Sequence, residues 1–258
     1  MVPELAAASL SGVWRLLHDS KLHRRRGRDH LHSPDPAYQE KVAYLRAIQA
    51  RVAAAPDTAV LLYLDEVTYY RQPSLASAYA PAGADAPRAE RSTRSNTTTR
   101  VVGALDARTG QVTSLVRGKI GVAALRRLYR DLVAAYPGRQ LYLVIDNWPI
   151  HYHPDLLAAL EPQASPFPAH RPRHWPTEPG PTAKRLGLPI QLVPLPTYSP
   201  WLNPIERLWR WLKQDVLHLH LHADDLTALK ALVVAFLARF NGPSPDLLRY
   251  VGLVTLPT

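Results

Sequence analysis

Three acidic residues carry the strongest chemical signal in the chain. Asp65 follows the apolar run Leu61-Leu62-Tyr63-Leu64, and Asp146 follows Leu141-Tyr142-Leu143-Val144-Ile145. Glu206 falls in the first turn of a helix expected after the proline-rich approach Leu195-Pro196-Thr197-Tyr198-Ser199-Pro200-Trp201-Leu202-Asn203-Pro204. Near-continuous apolar runs are the pattern of central strands buried on both faces, and open α/β sheets bind ligands beside the ends of such strands. Carboxylates gathered without a counter-charge raise one another's pKa and cost stability, a penalty that divalent cations remove. Hard oxygen donors in a chain without cysteine favour Mg²⁺ or Mn²⁺ over zinc. Two such ions ~3.5–4 Å apart activate a water or a 3′-hydroxyl and stabilise the leaving oxygen during in-line attack on a phosphodiester.

Each acid also has a structural account of its own. Asn203, Pro204 and Glu206 spell a capping box, and an Asp at a strand end opens a turn. Glu206 could pair with Arg210 one turn on, a contact worth only ~0.3–0.5 kcal/mol. Around the acids, Glu66 alternates to the opposite strand face from Asp65 and is read as a neighbouring polar residue. Asn147 and His151 could orient Asp146 or a scissile phosphate, or serve as a turn Asn and a partly buried His. Leu208, Trp209 and Leu212 fall on one helical stripe and read as core. Trp148 and Trp201 read as packing groups. His218, His220 and His222 alternate with leucine, yet Asp224-Asp225 follows in place of a fourth spaced ligand, so a polar turn is expected there and not a zinc site.

The elements that must position these groups follow from the apolar pattern. Residues 11–18 read as a short amphipathic helix leading into the basic run Lys21–Arg28. Val42, Leu45, Ile48 and Val52 recur at helical spacing until Pro56 stops them. A strand from Thr58 carries Asp65, continues through Tyr69 to Ala80, and pairs with strands at 100–105 and 111–116 joined by the hairpin turn Asp106–Gly110. A helix over 122–135, the Asp146 strand, a helix over 155–160, a strand at 190–193 and a final helix over 226–240 complete the order. Such alternation implies an α/β sheet of mixed direction with helices packed on it. Residues 161–189 are dense in proline and are expected to form an irregular insertion.

Composition points to a polyanionic partner. Lys and Arg number 31 against 21 Asp and Glu, a formal charge of +10. That balance speeds encounter with nucleic acid without selecting a sequence. At 258 residues and 47% hydrophobic content the chain can bury a full core and is expected to hold one main domain plus appendages. No apolar stretch approaches the ~20 residues that span a bilayer. No basic segment precedes an apolar core at the N-terminus, so neither a secretory leader nor a membrane partner is expected. The absence of cysteine excludes disulfides and thiolate metal sites.

Four motifs resemble those of the mariner-related bacterial insertion-sequence transposases, DDE superfamily endonucleases with a ribonuclease H-like catalytic domain. They are Leu64-Asp65-Glu66; Val102-Gly103-Ala104-Leu105 followed by Thr109-Gly110; Asp146-Asn147 with His151; and Leu195-Pro196 through Trp209 followed by Leu212-Lys213. The resemblance implies a mixed sheet of three antiparallel-type strands and then parallel strands, with helices on both faces. It implies a DDE site in which Asp65, Asp146 and Glu206 hold two Mg²⁺ (or Mn²⁺) ions for strand nicking and strand transfer, with Glu66, Asn147 and His151 in support. The partners it implies are double-stranded DNA, as transposon ends and target, and a second copy in a homodimer on DNA. The setting it implies is the bacterial cytoplasm, in association with the nucleoid.

In those terms residues 1–32 are a partial helix-turn-helix remnant, of a truncated or split-frame product, with a basic arm whose Arg24, Arg25, Arg26 and Arg28 contact DNA. Residues 33–57 form a linker helix. Residues 58–241 form the catalytic domain, with the insertion at 161–189, and 242–258 form a C-terminal tail. The interval from Asp146 to Glu206 is longer than is usual in the family, which the insertion would account for. Two alternatives stand beside this reading: an inactive or domesticated transposase-derived DNA-binding protein, and another ribonuclease H-like nuclease that cuts without strand transfer.

Overall fold

The chain divides into two compact units, Met1–His32 and Ser33–Thr258. The computed structural model describes residues 9–21, 32–81, 85–162, 165–168 and 171–253. In the first unit the expected helix is α1 (Leu10–Asp19), capped by the Ser9 hydroxyl, which accepts the Gly12 amide at 3.1 Å. Arg24, Arg25, Arg26 and Arg28 lie outside the described residues.

The second unit opens with α2 (Tyr38–Ala54) and is built on five strands, β1 (Ala59–Tyr70), β2 (Thr98–Asp106), β3 (Val112–Arg117), β4 (Gln140–Ile145) and β5 (Ile190–Pro194). They form one sheet in the order β3-β2-β1-β4-β5. β2 pairs antiparallel with both β1 and β3, whereas β4 runs parallel to β1 and β5 parallel to β4. This is the mixed sheet expected. At the β2–β3 hairpin, Asp106 Oδ1 accepts the amides of Arg108 and Thr109 at 2.7 and 3.0 Å. Gly110 takes φ +74, and a Cβ there would collide with the Ser244 carbonyl oxygen.

Strand alternation sends two cores to opposite faces. On one face Tyr63, Val67, Val101, Leu105 and Val144 pack with Leu45 and Ile48 of α2 and with three further helices, α5 (Ile205–Leu212), α6 (Leu226–Ala238) and α7 (Pro245–Val251). On the other face Leu62, Leu64 and Leu143 pack against Leu125, Leu128, Tyr129 and Leu132 of α3 (Val122–Ala135) and against Leu156 of α4 (Pro154–Leu157). Among the described residues no helix is long and apolar enough to cross a membrane.

Four expectations are corrected. β1 does not end at Asp65 or run to Ala80; it stops at Tyr70, because β2 pairs with it out to Tyr70 whereas its β4 pairing is registered only over Ala59–Tyr63. The helix expected at 33–57 is no free linker, since Leu45 and Ile48 are 4% and 3% exposed in the shared core. The segment 242–258 is not merely a tail, because α7 buries Leu247, Leu248 and Val251. Its ends carry ordinary helix punctuation: the Ser244 hydroxyl accepts the Leu247 amide, Pro245 opens the first turn, and Gly252 closes it at φ 80. The helix expected over 155–160 is the shorter Pro154–Leu157.

The proline-rich stretch is irregular, as expected, and is clipped at its base. Leu160 and Leu188 form a bridge, with Glu161 N–H donating to Leu188 O and Leu188 N–H to Ala159 O at 2.9 and 3.0 Å. Further out, the Gly180 amide donates to Asp155 Oδ1 at 2.7 Å, and the Trp175 ring lies edge-on to His153 at 5.0 Å.

Candidate metal-binding active site

The parallel register sets the first two acids side by side. Tyr63 stands opposite Val144, so two residues further along Asp65 comes level with Asp146, the first residue past β4. The third acid arrives through the turn after β5. Asn147 Nδ2 donates to Leu195 O at 3.0 Å, and Asn203 Nδ2 donates to Leu64 O at 3.2 Å, immediately before Asp65. These two amides pin both ends of the 195–203 loop to the acid-bearing strands. Within that loop Tyr198 holds φ 53, an uncommon conformation for an aromatic residue. The outcome is one cavity of about 710 Å³ walled by Asp65, Asp146, Asn147, Asn203 and Glu206.

Asn203 therefore does not act as the expected cap. Pro204 occupies the N-cap position of α5 without a side-chain cap bond, and the Asn203 amide is spent on β1 instead. Its Oδ1 is buried with no hydrogen-bond partner. Trp209 is core, as expected, and does more than pack. Its indole N–H donates to Asp65 Oδ2 at 3.0 Å. Gly103, opposite Asp65 in the β1–β2 register, makes room for that ring, because a Cβ there would stand 2.8 Å from Trp209 Cη2.

The electrostatics fit a cation-binding set. Burial, reinforced by Glu206 and Asp146, pushes the Asp65 carboxyl up to about 7. Burial also raises Glu206, with Asp146 adding to it against Lys213 and Arg210. Asp146 moves the other way: burial opposes ionisation, but the His151 imidazole and the Trp148 amide, which donates to Oδ1 at 2.9 Å, outweigh it. Among the described residues neither Asp65 nor Glu206 takes part in an ion pair. The orphaned Asn203 oxygen and two carboxylates held above their ordinary range are what a divalent ion with oxygen preference would relieve.

Glu66 faces away from Asp65, as alternation requires, but it remains close to Asp146. His151 Nε2 lies 3.5 Å from Asp146 Oδ1 and 3.9 Å from Glu66 Oε1. Asp146 stands past the end of its strand, where it is reachable from both faces of the sheet. His218, His220 and His222 lie in irregular chain after α5, as expected, with His218 Nδ1 and Ser74 Oγ 2.8 Å apart.

One support for the cavity wall was not visible in sequence. Asp35 Oδ2 accepts Lys41 Nζ at 2.7 Å and the Thr197 amide at 2.9 Å, fastening the start of this unit to the 195–203 loop. Burial works against the charge, yet Lys41 and the Thr197 and Ala37 amides hold the Asp35 carboxyl down at about 2.

No curated protein matches the chain in sequence. Several solved structures match it in fold. A crystal structure of the Mos1 mariner paired end complex with Mn gives a TM-score of 0.60 at 17% identity, covering 97% of this chain and 68% of that one. The mariner Mos1 paired end complex with Mg gives 0.58 at 16% identity, covering 96% and 68%. The Mos1 Strand Transfer Complex gives 0.57 at 16% identity, also covering 96% and 68%. At such identities the likeness is one of fold, and it bears out the ribonuclease H-like architecture expected. Residues 60–230 match the DDE superfamily endonuclease family. That match runs from β1 into α6 and takes in Asp65, Asp146 and Glu206, and the chain belongs to the DDE superfamily endonucleases.

Proposed function

We propose that this protein is a DNA transposase, with Asp65, Asp146 and Glu206 as the metal-holding catalytic residues for strand nicking and strand transfer at transposon ends. The observation that carries the reading is the convergence of three carboxylates from three rigid elements on one cavity, with Asp65 pushed up to about 7 by its surroundings. When bound, a pair of Mg²⁺ or Mn²⁺ ions supplies an activated water or 3′-hydroxyl and charge stabilisation for the leaving oxygen.

The chain's own groups prepare that geometry. The Trp209 indole N–H fixes the rotation of the Asp65 carboxylate, and Asn203 and Asn147 hold the loop that brings Glu206 in. Glu206 also borders a second cavity, of about 670 Å³, whose wall includes Arg207, Arg210, Lys213 and His218. Cationic side chains beside an acidic centre seat the phosphates on either side of a scissile bond. In the fuller assignment, 1–32 is a DNA-binding segment and 33–253 the catalytic unit, acting as a homodimer on paired ends in the bacterial nucleoid. The Mos1 complexes with transposon ends support the DNA partner by fold alone.

The test is incubation of the full chain with a duplex carrying the inverted repeats that flank its gene, in Mg²⁺ or Mn²⁺. Nicking at the repeat, followed by joining of the freed 3′-end to a target plasmid, is expected. Asp65→Asn, Asp146→Asn and Glu206→Gln should each abolish both steps while leaving DNA binding largely intact. A mobility shift without nicking would identify a DNA-binding derivative, and cutting without joining a different nuclease. Cleavage surviving in one variant would remove that residue from the site.

A further inference from the structure

Behind β1, on the face away from Asp65, lies a second group of donors. Glu66, Asp146 and His151 each offer one ligand atom within 4.8 Å of the others. His151 is fully buried, and its Nε2 has no hydrogen-bond partner; neither does the buried Glu66 Oε1. The gaps of 3.5 and 3.9 Å are longer than the ~2.7–2.9 Å of well-formed charge-assisted hydrogen bonds. They suit atoms that share an ion, because ligands ~2.0–2.2 Å from one centre stand roughly 3–4 Å from each other. The other imidazole nitrogen, Nδ1, lies 3.5 Å from the buried Tyr129 hydroxyl. With an ion on Nε2 the ring proton would sit on Nδ1, on the side of that oxygen, whereas without one an Nε2–H faces Asp146.

We infer that Glu66, Asp146 and His151 form a distinct site for a first-row transition-metal cation such as Mn²⁺, Co²⁺ or Zn²⁺. One imidazole with two carboxylates favours such ions over Mg²⁺, whereas the Asp65, Asp146 and Glu206 set is all oxygen. The Asp146 side chain, 47% exposed, gives the ion its way in from the cavity. The site shares Asp146 with the proposed catalytic set and otherwise stands apart from it. An ion there would fix the Asp146 carboxylate from behind.

The test reads the metal and not turnover. The full chain is loaded with Mn²⁺ at one equivalent, and electron spin-echo envelope modulation is recorded. Nitrogen coupling from a directly bound imidazole is expected in the unaltered protein and in Glu206→Gln, and its disappearance in His151→Gln. In parallel, Co²⁺ titration followed by visible absorption should show the tighter site weakened in Glu66→Gln and His151→Gln. Loss of an outer partner alone costs ~10–100-fold in metal affinity, so loss of a ligand should cost at least about tenfold. Absence of nitrogen coupling in the unaltered protein would overturn the assignment without any variant having to fold. Equal Co²⁺ affinity in His151→Gln with an unaltered melting profile would do the same. Failure of the transposase reading would appear elsewhere, as duplex binding without nicking, or cutting without joining, by the unaltered protein.

Discussion

Replacing Trp209 by Phe isolates one hydrogen bond to a buried acid. The indole N–H donates to Asp65 Oδ2 at 3.0 Å, and it stabilises the ionised carboxylate in a place where burial has pushed the pKa up to about 7. A hydrogen bond to a charged group contributes ~1.5–3 kcal/mol. At ~1.36 kcal/mol for each pH unit, its loss should raise the Asp65 pKa by a further one to two pH units or so. Metal loading requires the ionised form, so the acid limb of metal-dependent cleavage should move to higher pH by that amount. The assay is a pH–rate profile at limiting Mg²⁺, where loading and not chemistry sets the rate. The smaller ring also leaves a gap costing roughly 1–2 kcal/mol. Gly103→Ala supplies the control: its Cβ would stand 2.8 and 3.2 Å from Trp209 Cη2 and Cζ2, atoms that phenylalanine lacks. The double variant should recover the lost melting temperature and keep the displaced profile. An acid limb at the original pH in Trp209→Phe, with or without the alanine, refutes the coupling.

Metal-free protein should lose stability as pH rises from about 4 through about 7, because Asp65 is more readily protonated folded than unfolded; between the ordinary 3.8 and about 7 the difference is on the order of 4 kcal/mol. Calorimetry at stepped pH should therefore show a Mg²⁺-induced rise in Tm that grows with pH, and a rise of equal size at pH 4 and pH 8 would contradict it. Arg210→Ala and Lys213→Ala should weaken duplex binding evenly across sequences, each lowering the slope of log K against log salt by about 1; an unchanged slope would place the DNA elsewhere. Gly110→Ala should cost more than the ~1 kcal/mol typical of a point substitution, since it meets both a positive φ and the Ser244 carbonyl; chemical denaturation measures it, and an unchanged midpoint would discard the constraint. Asp35→Asn should release Lys41 and loosen the Thr197 contact, an effect present at neutral pH and fading as pH falls toward about 2, where the native carboxyl also loses its charge; identical urea midpoints at pH 7 would sink it.

The sheet was legible because its signal is local. Runs such as Leu141–Ile145 cannot be solvated, and Asp106–Gly110 carries turn chemistry in five consecutive residues. The carboxylates were legible for the same reason, each standing where an apolar run or a proline-rich approach gives way. Groups acting across the fold were not. Asn203 spells a helix cap equally well whether its amide closes the helix or reaches Leu64, 139 positions away. Trp209 shows a helical stripe, and nothing in a stripe says that its N–H meets a partner 144 positions earlier. Alternation along β1 puts Glu66 on the far strand face, but single-strand alternation carries no information about how far Asp146 projects beyond its own strand. The helix at 245–251 has readable punctuation at Ser244-Pro245 and Gly252, but one short segment offers too few periods for the apolar pattern to register.

The clip between Leu160 and Leu188 separates distance along the chain from distance in space. Because the proline-rich excursion leaves and rejoins the fold at a single point, β5 receives the same starting position whatever length of chain intervenes. Doubling a closed loop adds only ~0.6 kcal/mol of entropic cost. The spacing in sequence between the second and third acids is thus uncoupled from their spacing in space, and residues added beyond the clip but away from Pro168, which lines the cavity, would leave both carboxylates in place.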